Sequence, residues 1–247
     1  GKNIGLYEHS SVSRDCLKTV LQQLGAKVTS LGRSDTFISV DTEAIRPEDI
    51  TLAKNWSETH HFDCIISTDG DGDRPLISDE KGNWLRGDVA GVLCASYLHA
   101  DTVITPVSSN SAVEKSNLFN TVIRTKIGSP YVIEAMQQAE SDGVKRIVGY
   151  EANGGFLQHT PLTQGDSILS PLPTRDATIV PITILLLAQQ KQLTISQLLE
   201  TLPQRYTYSD RLKDFPTNLS RKVLANIVSA NKKDSFSTIN SYFPNLA

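Results

Sequence analysis

Short apolar, β-branched runs alternate along this chain with longer stretches whose apolar residues recur at helical spacing, a pattern that predicts an α/β protein. Asn3 to Tyr7 predicts a first strand, Arg14 to Leu24 a helix stopped by Gly25, and Lys27 to Leu31 a second strand parallel to the first. The serines of His9-Ser10-Ser11-Val12-Ser13 are candidate caps for that helix. Ile45 to Asn55 predicts a second helix, with Pro47 in its first turn and Glu48 and Asp49 behind it. His60 and His61 follow and are expected at the surface. Asp63 to Ser67 predicts a buried strand, and Pro75 to Ser78 with Asn83 to Arg86 a hairpin. Asp88 to Leu98 predicts a helix capped by Asp88, with Val89, Val92, Leu93 and Tyr97 on one face.

The second half repeats this plan. Thr102 to Pro106, Thr121 to Thr125 and Lys145 to Tyr150 predict strands. Ser108-Ser109-Asn110 opens a helix to about Leu118, and Ser129-Pro130 opens another to about Ser141. Asp176 stands at the positive end of a predicted helix from Ala177 to Gln190, and Thr194 to Leu202 predicts a last short one. The expected fold is α/β: two consecutive similar mixed-sheet domains, residues 1–100 and 101–204. A polar partial segment, 205–247, reads as the truncated start of a further domain. The opening Gly1-Lys2-Asn3, which enters a strand at once, reads as an excised piece.

Composition narrows the partners. With 247 residues, 39% hydrophobic, 21% charged and a net charge of −3, the chain has room for two domains and no basic excess to draw nucleic acid or anionic lipid. The longest apolar run, Ile179 to Ala188, is interrupted by Pro181 and Thr183 and is too short to span a bilayer. Cys16, Cys64 and Cys94 are scattered singly, without metal-site spacing, which predicts reduced thiols at core or near-core positions in the cytoplasm.

The strongest chemical signal follows the strand at Asp63 to Ser67: Thr68-Asp69-Gly70-Asp71-Gly72-Asp73-Arg74. Three acids at alternate positions stand where open α/β sheets place their ligands, at a strand's carboxyl end. Asp69 to Asp73 would cover roughly 13 Å if extended, whereas oxygens around one hard cation lie within a few Å of one another. The loop is therefore expected to curl, with Gly70 and Gly72 allowing it. Oxygen ligands alone argue for Mg2+ or Ca2+ rather than zinc or copper. Three carboxylates, one divalent cation and Arg74 sum to about neutral, so such a site accepts a phosphate oxygen.

Two other readings compete. Asp69, Asp71, Asp73 and Glu80 fall on EF-hand positions, but the glycine that loop requires is Arg74 and the flanks read as strands. A haloacid-dehalogenase-type phosphatase, with Asp69 as nucleophile and Asp71 as acid, does not need the third Asp or the Arg.

The loop from Thr68 to Arg74 resembles the metal-binding loop of the α-D-phosphohexomutases, the phosphomannomutase and phosphoglucomutase family. Gly149-Tyr150-Glu151-Ala152-Asn153-Gly154-Gly155-Phe156 is similar to that family's sugar-recognition loop. The resemblance implies interconversion of hexose 1-phosphate and hexose 6-phosphate, with mannose or glucose as the sugar, through a phosphoserine and a bisphosphorylated sugar. It implies that Asp69, Asp71 and Asp73 hold Mg2+, that Arg74 steadies the transferring phosphoryl group, and that Glu151 and Asn153 grip sugar hydroxyls. Asn153 stands where the family more often has Ser. Ser109, Arg124, Lys126 and Arg175 are further basic or polar candidates near predicted strand ends, and of these Lys126 is assigned to substrate. Asp176 matches a family Asp but precedes Ala177 rather than Gly, and is read first as a cap. The family's phosphoserine segment and its distal phosphate loop, on the first and fourth domains, are not found in this sequence. The chain is therefore expected to be the two central domains, inactive without its nucleophile. The alternative is a non-catalytic module that binds metal and sugar phosphate.

Overall fold

The computed structural model describes residues 1–172, 174–211, 214–229, 237, 239 and 241. Two four-stranded sheets carry the fold. In the first, β1 (Asn3–Tyr7) lies between β2 (Lys27–Leu31) and β3 (Cys64–Thr68), all parallel, and β4 (Pro75–Ile77) closes the edge antiparallel to β3. The second repeats this order: β5 (Thr102–Pro106) lies between β6 (Thr121–Thr125) and β7 (Ile147–Tyr150), and β8 (Phe156–Gln158) runs antiparallel to β7. The expected mixed sheets are both present, with one topology.

Strand alternation sets the cores. On β1 and β3, Ile4, Leu6, Cys64 and Ile66 face one side of the sheet, while Tyr7 and Ile65 face the other with Phe62 and Leu76. On β7, Val148 and Tyr150 join the first of these clusters, and Ile147 packs with Val132 and Met136 of α5 (Ser129–Ser141). One apolar cluster thus passes through both sheets.

The elements that carry it are α3 (Gly87–Tyr97) and α6 (Ile179–Lys191), which pack on each other and both touch β4. Their sequences are apolar nearly all round because both are covered on more than one side. In α3, residues 87, 88 and 90–95 are buried, so burial extends well round the helix from the face expected of Val89, Val92, Leu93 and Tyr97, all four of which pack in the shared core. Sharing this layer, residues 1–208 form one compact unit.

Several local expectations change for identifiable reasons. Helix α2 runs Pro47–His60, longer than expected, and ends at His61 in a left-handed conformation, with both histidines exposed. The segment after β5 forms only the short α4 (Ala112–Lys115); Asn110 Oδ1 accepts the Ala112 N–H at its start, while the Asn110 N–H donates to Asp88 and its NH2 to the Arg205 carbonyl. Asp88 stands inside the first turn of α3 rather than at its cap, which is Arg86; its carboxylate accepts the Val89 and Asn110 N–H and pairs with Arg86. Cys64 and Cys94 are buried, but Cys16 is exposed on α1 (Arg14–Gln23).

A small antiparallel hairpin, β9 (Leu162–Gln164) and β10 (Ser167–Leu169), precedes α6. Helix α7 (Ile195–Glu200) starts on a Thr194–Gln197 capping box. Residues 209–247 form a second unit, in which α8 spans Thr217–Ser229. Part of the segment expected at 205–247 lies outside the described residues. Among those described, no helix is long and apolar enough to cross a membrane.

Candidate active site

The chain turns from β3 to β4 through residues 69–74, and the turn closes on itself. The Asp69 N–H donates to the Arg74 carbonyl at 3.1 Å, and the Arg74 N–H returns a bond to Asp69 Oδ1 at 3.1 Å. Gly72 takes φ +81°, which an L residue rarely adopts. Gly70 does not need this freedom; instead its missing side chain leaves room for Phe37, whose ring would lie 3.2 Å from a Cβ there.

The curl gathers the three acids. One carboxylate oxygen from each of Asp69, Asp71 and Asp73 lies within 4.8 Å of the others. Oxygens on opposite sides of one Mg2+ stand about 4.2 Å apart and around Ca2+ about 5 Å apart, so the spacing suits a hard cation after little movement. Two atoms support the fit. Asp73 Oδ1 and Arg74 Nε are both buried without a hydrogen-bond partner, an acceptor suited to a cation and a donor suited to an anion. Arg74 Nε stands 3.7 Å from Asp69 Oδ2 and 3.9 Å from Asp73 Oδ1. Asp69 is only 7% exposed. Burial, together with Asp71 and Asp73 beside it, raises its pKa to about 6 against the opposing Arg74 N–H bond.

A second loop braces the first from behind. After β1, His9 Nε2–H donates to the Thr68 carbonyl at 2.8 Å, and the Val12 N–H donates to the Gly70 carbonyl at 3.1 Å. The hydroxyls of Ser11, Ser13 and Thr68 form a triangle with sides of 2.7 to 2.9 Å. Ser13 sits at the start of α1 but makes no side-chain cap bond. Of the serines expected as caps, Ser11 and Ser13 therefore bond the start of the acidic loop, and Ser10 bonds the Ile38 backbone. Their position at the end of the strand next to β3 was the available signal.

The sugar-loop candidate lies between β7 and β8. The Glu151 N–H donates to the Gly155 carbonyl and the Gly154 N–H to the Glu151 carbonyl, each at 3.0 Å. Asn153 Oδ1 accepts the Gly155 N–H at 3.0 Å, which leaves the amide NH2 as the free end of that side chain. Thr42, in the segment before α2, donates its hydroxyl to the Asn153 carbonyl at 2.7 Å. Glu151 is buried at its carboxyl end, the base of the loop.

Arg175 joins the two loops. Its Nη2 lies 2.5 Å from Asp73 Oδ2 and its Nη1 3.5 Å from Glu151 Oε2. Asp69, Asp71, Asp73 and Glu151 thus face Arg74 and Arg175, and the excess negative charge matches one divalent cation. Among the described residues, the other candidates make no bond to this bridge. Lys126 is exposed, with Nζ 5.5 Å from the Tyr131 ring centre, and makes no ion pair among the described residues. Arg124 is tied to Glu114 and to the carbonyls of Pro106 and Ser109, and Ser109 is buried against the Thr105 hydroxyl. Asp176 does not cap a helix from Ala177: α6 begins at Ile179 after Thr178, and the Asp176 carboxylate accepts the Thr178 and Ile179 N–H in the turn ahead of it. Glu80 binds Ser196 and so cannot complete an EF-hand.

The sequence matches two consecutive family profiles: phosphoglucomutase/phosphomannomutase alpha/beta/alpha domain II over residues 2–82 and domain III over residues 86–206. It is 50% identical over 223 residues to a phosphomannomutase of Salmonella muenchen, a match covering 90% of this chain and 46% of the relative. A phosphomannomutase of Sinorhizobium fredii is 41% identical over 225 residues, covering 91% of this chain and 47% of the relative. The chain thus spans about half the length of these relatives. A crystal structure of a phosphoglucomutase/phosphomannomutase family protein from Burkholderia thailandensis overlays 94% of this chain and 48% of its own length with a TM-score of 0.66. At 15% identity, that likeness speaks for the fold. With two adjacent domains matched in order and both loops on the corresponding strand ends, the chain belongs to the phosphoglucomutase/phosphomannomutase family.

Proposed function

We propose that these domains hold the metal and the sugar of a phosphohexomutase that interconverts hexose 1-phosphate and hexose 6-phosphate, with mannose phosphate as the substrate. The observation that carries the reading is the Asp73–Arg175–Glu151 bridge, which supports taking the acidic loop and the Glu151 loop as one site. The mannose preference follows the two relatives named phosphomannomutase.

Asp69, Asp71 and Asp73 are the residues for Mg2+. When bound, the ion supplies positive charge against phosphoryl oxygens. Arg74 offers its buried Nε to an oxygen of the same group, a fixed donor where charge develops. Glu151 accepts hydrogen bonds from sugar hydroxyls, and Asn153 donates its NH2 to a hydroxyl oxygen. Lys126, exposed at the end of β6, meets the sugar's phosphate. A phosphoserine from outside residues 1–208 supplies the phosphoryl group, hexose bisphosphate is the intermediate partner, and the compartment is the cytoplasm. We place the boundary between the metal and sugar domains between residues 82 and 86 rather than near Ala100, because α3 packs on α6 and β7 and the domain III match begins at 86.

The test is a coupled mutase assay on the 247-residue chain, using mannose 1-phosphate, Mg2+ and catalytic hexose bisphosphate, paired with a Mg2+ titration. Binding without turnover, lost in Asp71→Asn, is the expected result. Turnover would mean that a group within this chain carries the phosphoryl. An absence of Mg2+ binding would reject the metal assignment.

A further inference from the structure

Arg175 is held from both sides of the site. The Asp176 N–H donates to the Phe156 carbonyl at 2.8 Å, which seats residue 175 at the start of β8, directly after the Glu151 loop. Its stem passes over Gly155, where a Cβ would come within 2.5 Å of Arg175 Cδ. The Glu151 loop thus needs glycine at 155 to let this side chain through. At its far end the guanidinium holds Asp73 closely, at 2.5 Å, and Glu151 loosely, at 3.5 Å. The other oxygen of Asp73 is buried without a hydrogen-bond partner.

We propose that Arg175 is a positioning residue that couples metal occupancy to sugar-phosphate binding. This rests on the assignment of Asp73 to the metal and of Glu151 to the sugar. Arg175 competes with the metal for Asp73 and cannot leave by losing its proton, since guanidinium stays charged. A cation that takes Asp73 weakens that ion pair and shifts the guanidinium toward Glu151, fixing the carboxylate that receives the sugar. By reciprocity, a sugar phosphate that engages Glu151 raises metal affinity by the same factor.

The experiment titrates Mn2+ into the 247-residue chain by electron paramagnetic resonance, with and without mannose 1-phosphate, for wild type, Arg175→Gln and Arg175→Lys. Arg175→Gln removes a positive charge beside a ligand carboxylate and is expected to bind Mn2+ roughly three- to tenfold tighter. Arg175→Lys keeps the charge and stays near wild type, but a single ammonium cannot span both carboxylates. In wild type each ligand tightens the other, and that factor falls at least threefold in both variants. Arg175→Gln binding Mn2+ no tighter than wild type overturns the proposal. So does an unchanged coupling factor, or independent binding in wild type. Should Arg175→Gln fail to fold, the coupling factor of Arg175→Lys decides the question alone. A wild-type chain that binds neither ligand overturns the site assignment and this proposal together. Wild-type binding with unaltered variants overturns only the role of Arg175.

Discussion

Gly87 and Gly154 meet backbone to backbone: a Cβ on Gly87 would stand 2.2 Å from the Gly154 nitrogen and 2.5 Å from its Cα. Gly154 itself takes φ +92° and lies against the Pro75 carbonyl. The first residue of α3, the start of β4 and the Glu151 loop therefore share one point, so the strand leaving the acidic loop touches the loop assigned to the sugar. Gly87→Ala must push these apart. It is expected to destabilise the chain by about 1–3 kcal/mol, as overpacking does, and to weaken mannose 1-phosphate binding. Urea unfolding and a ligand titration check the two effects; unchanged stability would mean that the loops yield freely.

Asp71 is the exposed member of the acidic group and adds to the repulsion on buried Asp69. Asp71→Asn should lower Mn2+ affinity at least about tenfold, as loss of a charged ligand does. In EDTA the same variant should be as stable as wild type, or up to about 1 kcal/mol more so, because a like charge is gone. Thermal melts with and without Mn2+ separate the two. A variant destabilised in EDTA would make Asp71 a structural residue.

His9 gives the chain a pH dependence. Burial lowers its pKa below 6.5 despite the bond to the Thr68 carbonyl. A histidine kept neutral when folded contributes its full stability above pH 6.5, where the unfolded chain is also neutral. That contribution is lost as pH falls toward the lowered folded value, because the unfolded state then takes up the proton first. Wild type should lose more stability than His9→Gln between pH 7.5 and 5.5 in urea melts. Parallel losses would show that His9 carries none of the effect.

Thr42 reaches the Glu151 loop from the first domain through its 2.7 Å bond to the Asn153 carbonyl. Thr42→Val keeps the shape and removes the donor. The expected cost is about 1 kcal/mol, the loss of a hydrogen bond to a partly buried carbonyl, with weaker mannose 1-phosphate binding and unchanged Mn2+ affinity. Isothermal titration with each ligand decides this; a change in Mn2+ affinity would tie Thr42 to the acidic loop instead.

Much of this protein was written locally. The runs Asn3–Tyr7, Lys27–Leu31, Thr102–Pro106 and Thr121–Thr125 are strands with the ends expected of them, because β-branched residues bounded by turn formers favour the pleated conformation at central and edge positions alike. Asp69, Asp71 and Asp73 were legible as a cation cluster, since their alternation and Gly72 lie within one short loop. Packing between distant segments decided the rest. Serines that look like helix caps turn instead to Thr68, because a neighbouring strand end offers hydroxyls at bonding distance. Helices α3 and α6 form close to where the sequence predicts them, but local spacing does not reveal that each is buried on more than one side. Arg175 looks like any solvated arginine along the chain. Only the closure of β8 against β7, with Gly155 leaving its path clear, carries its guanidinium to Asp73. Periodicity and propensity record what a residue does with its near neighbours, while an ion pair between two loops depends on how the sheets beneath them are joined.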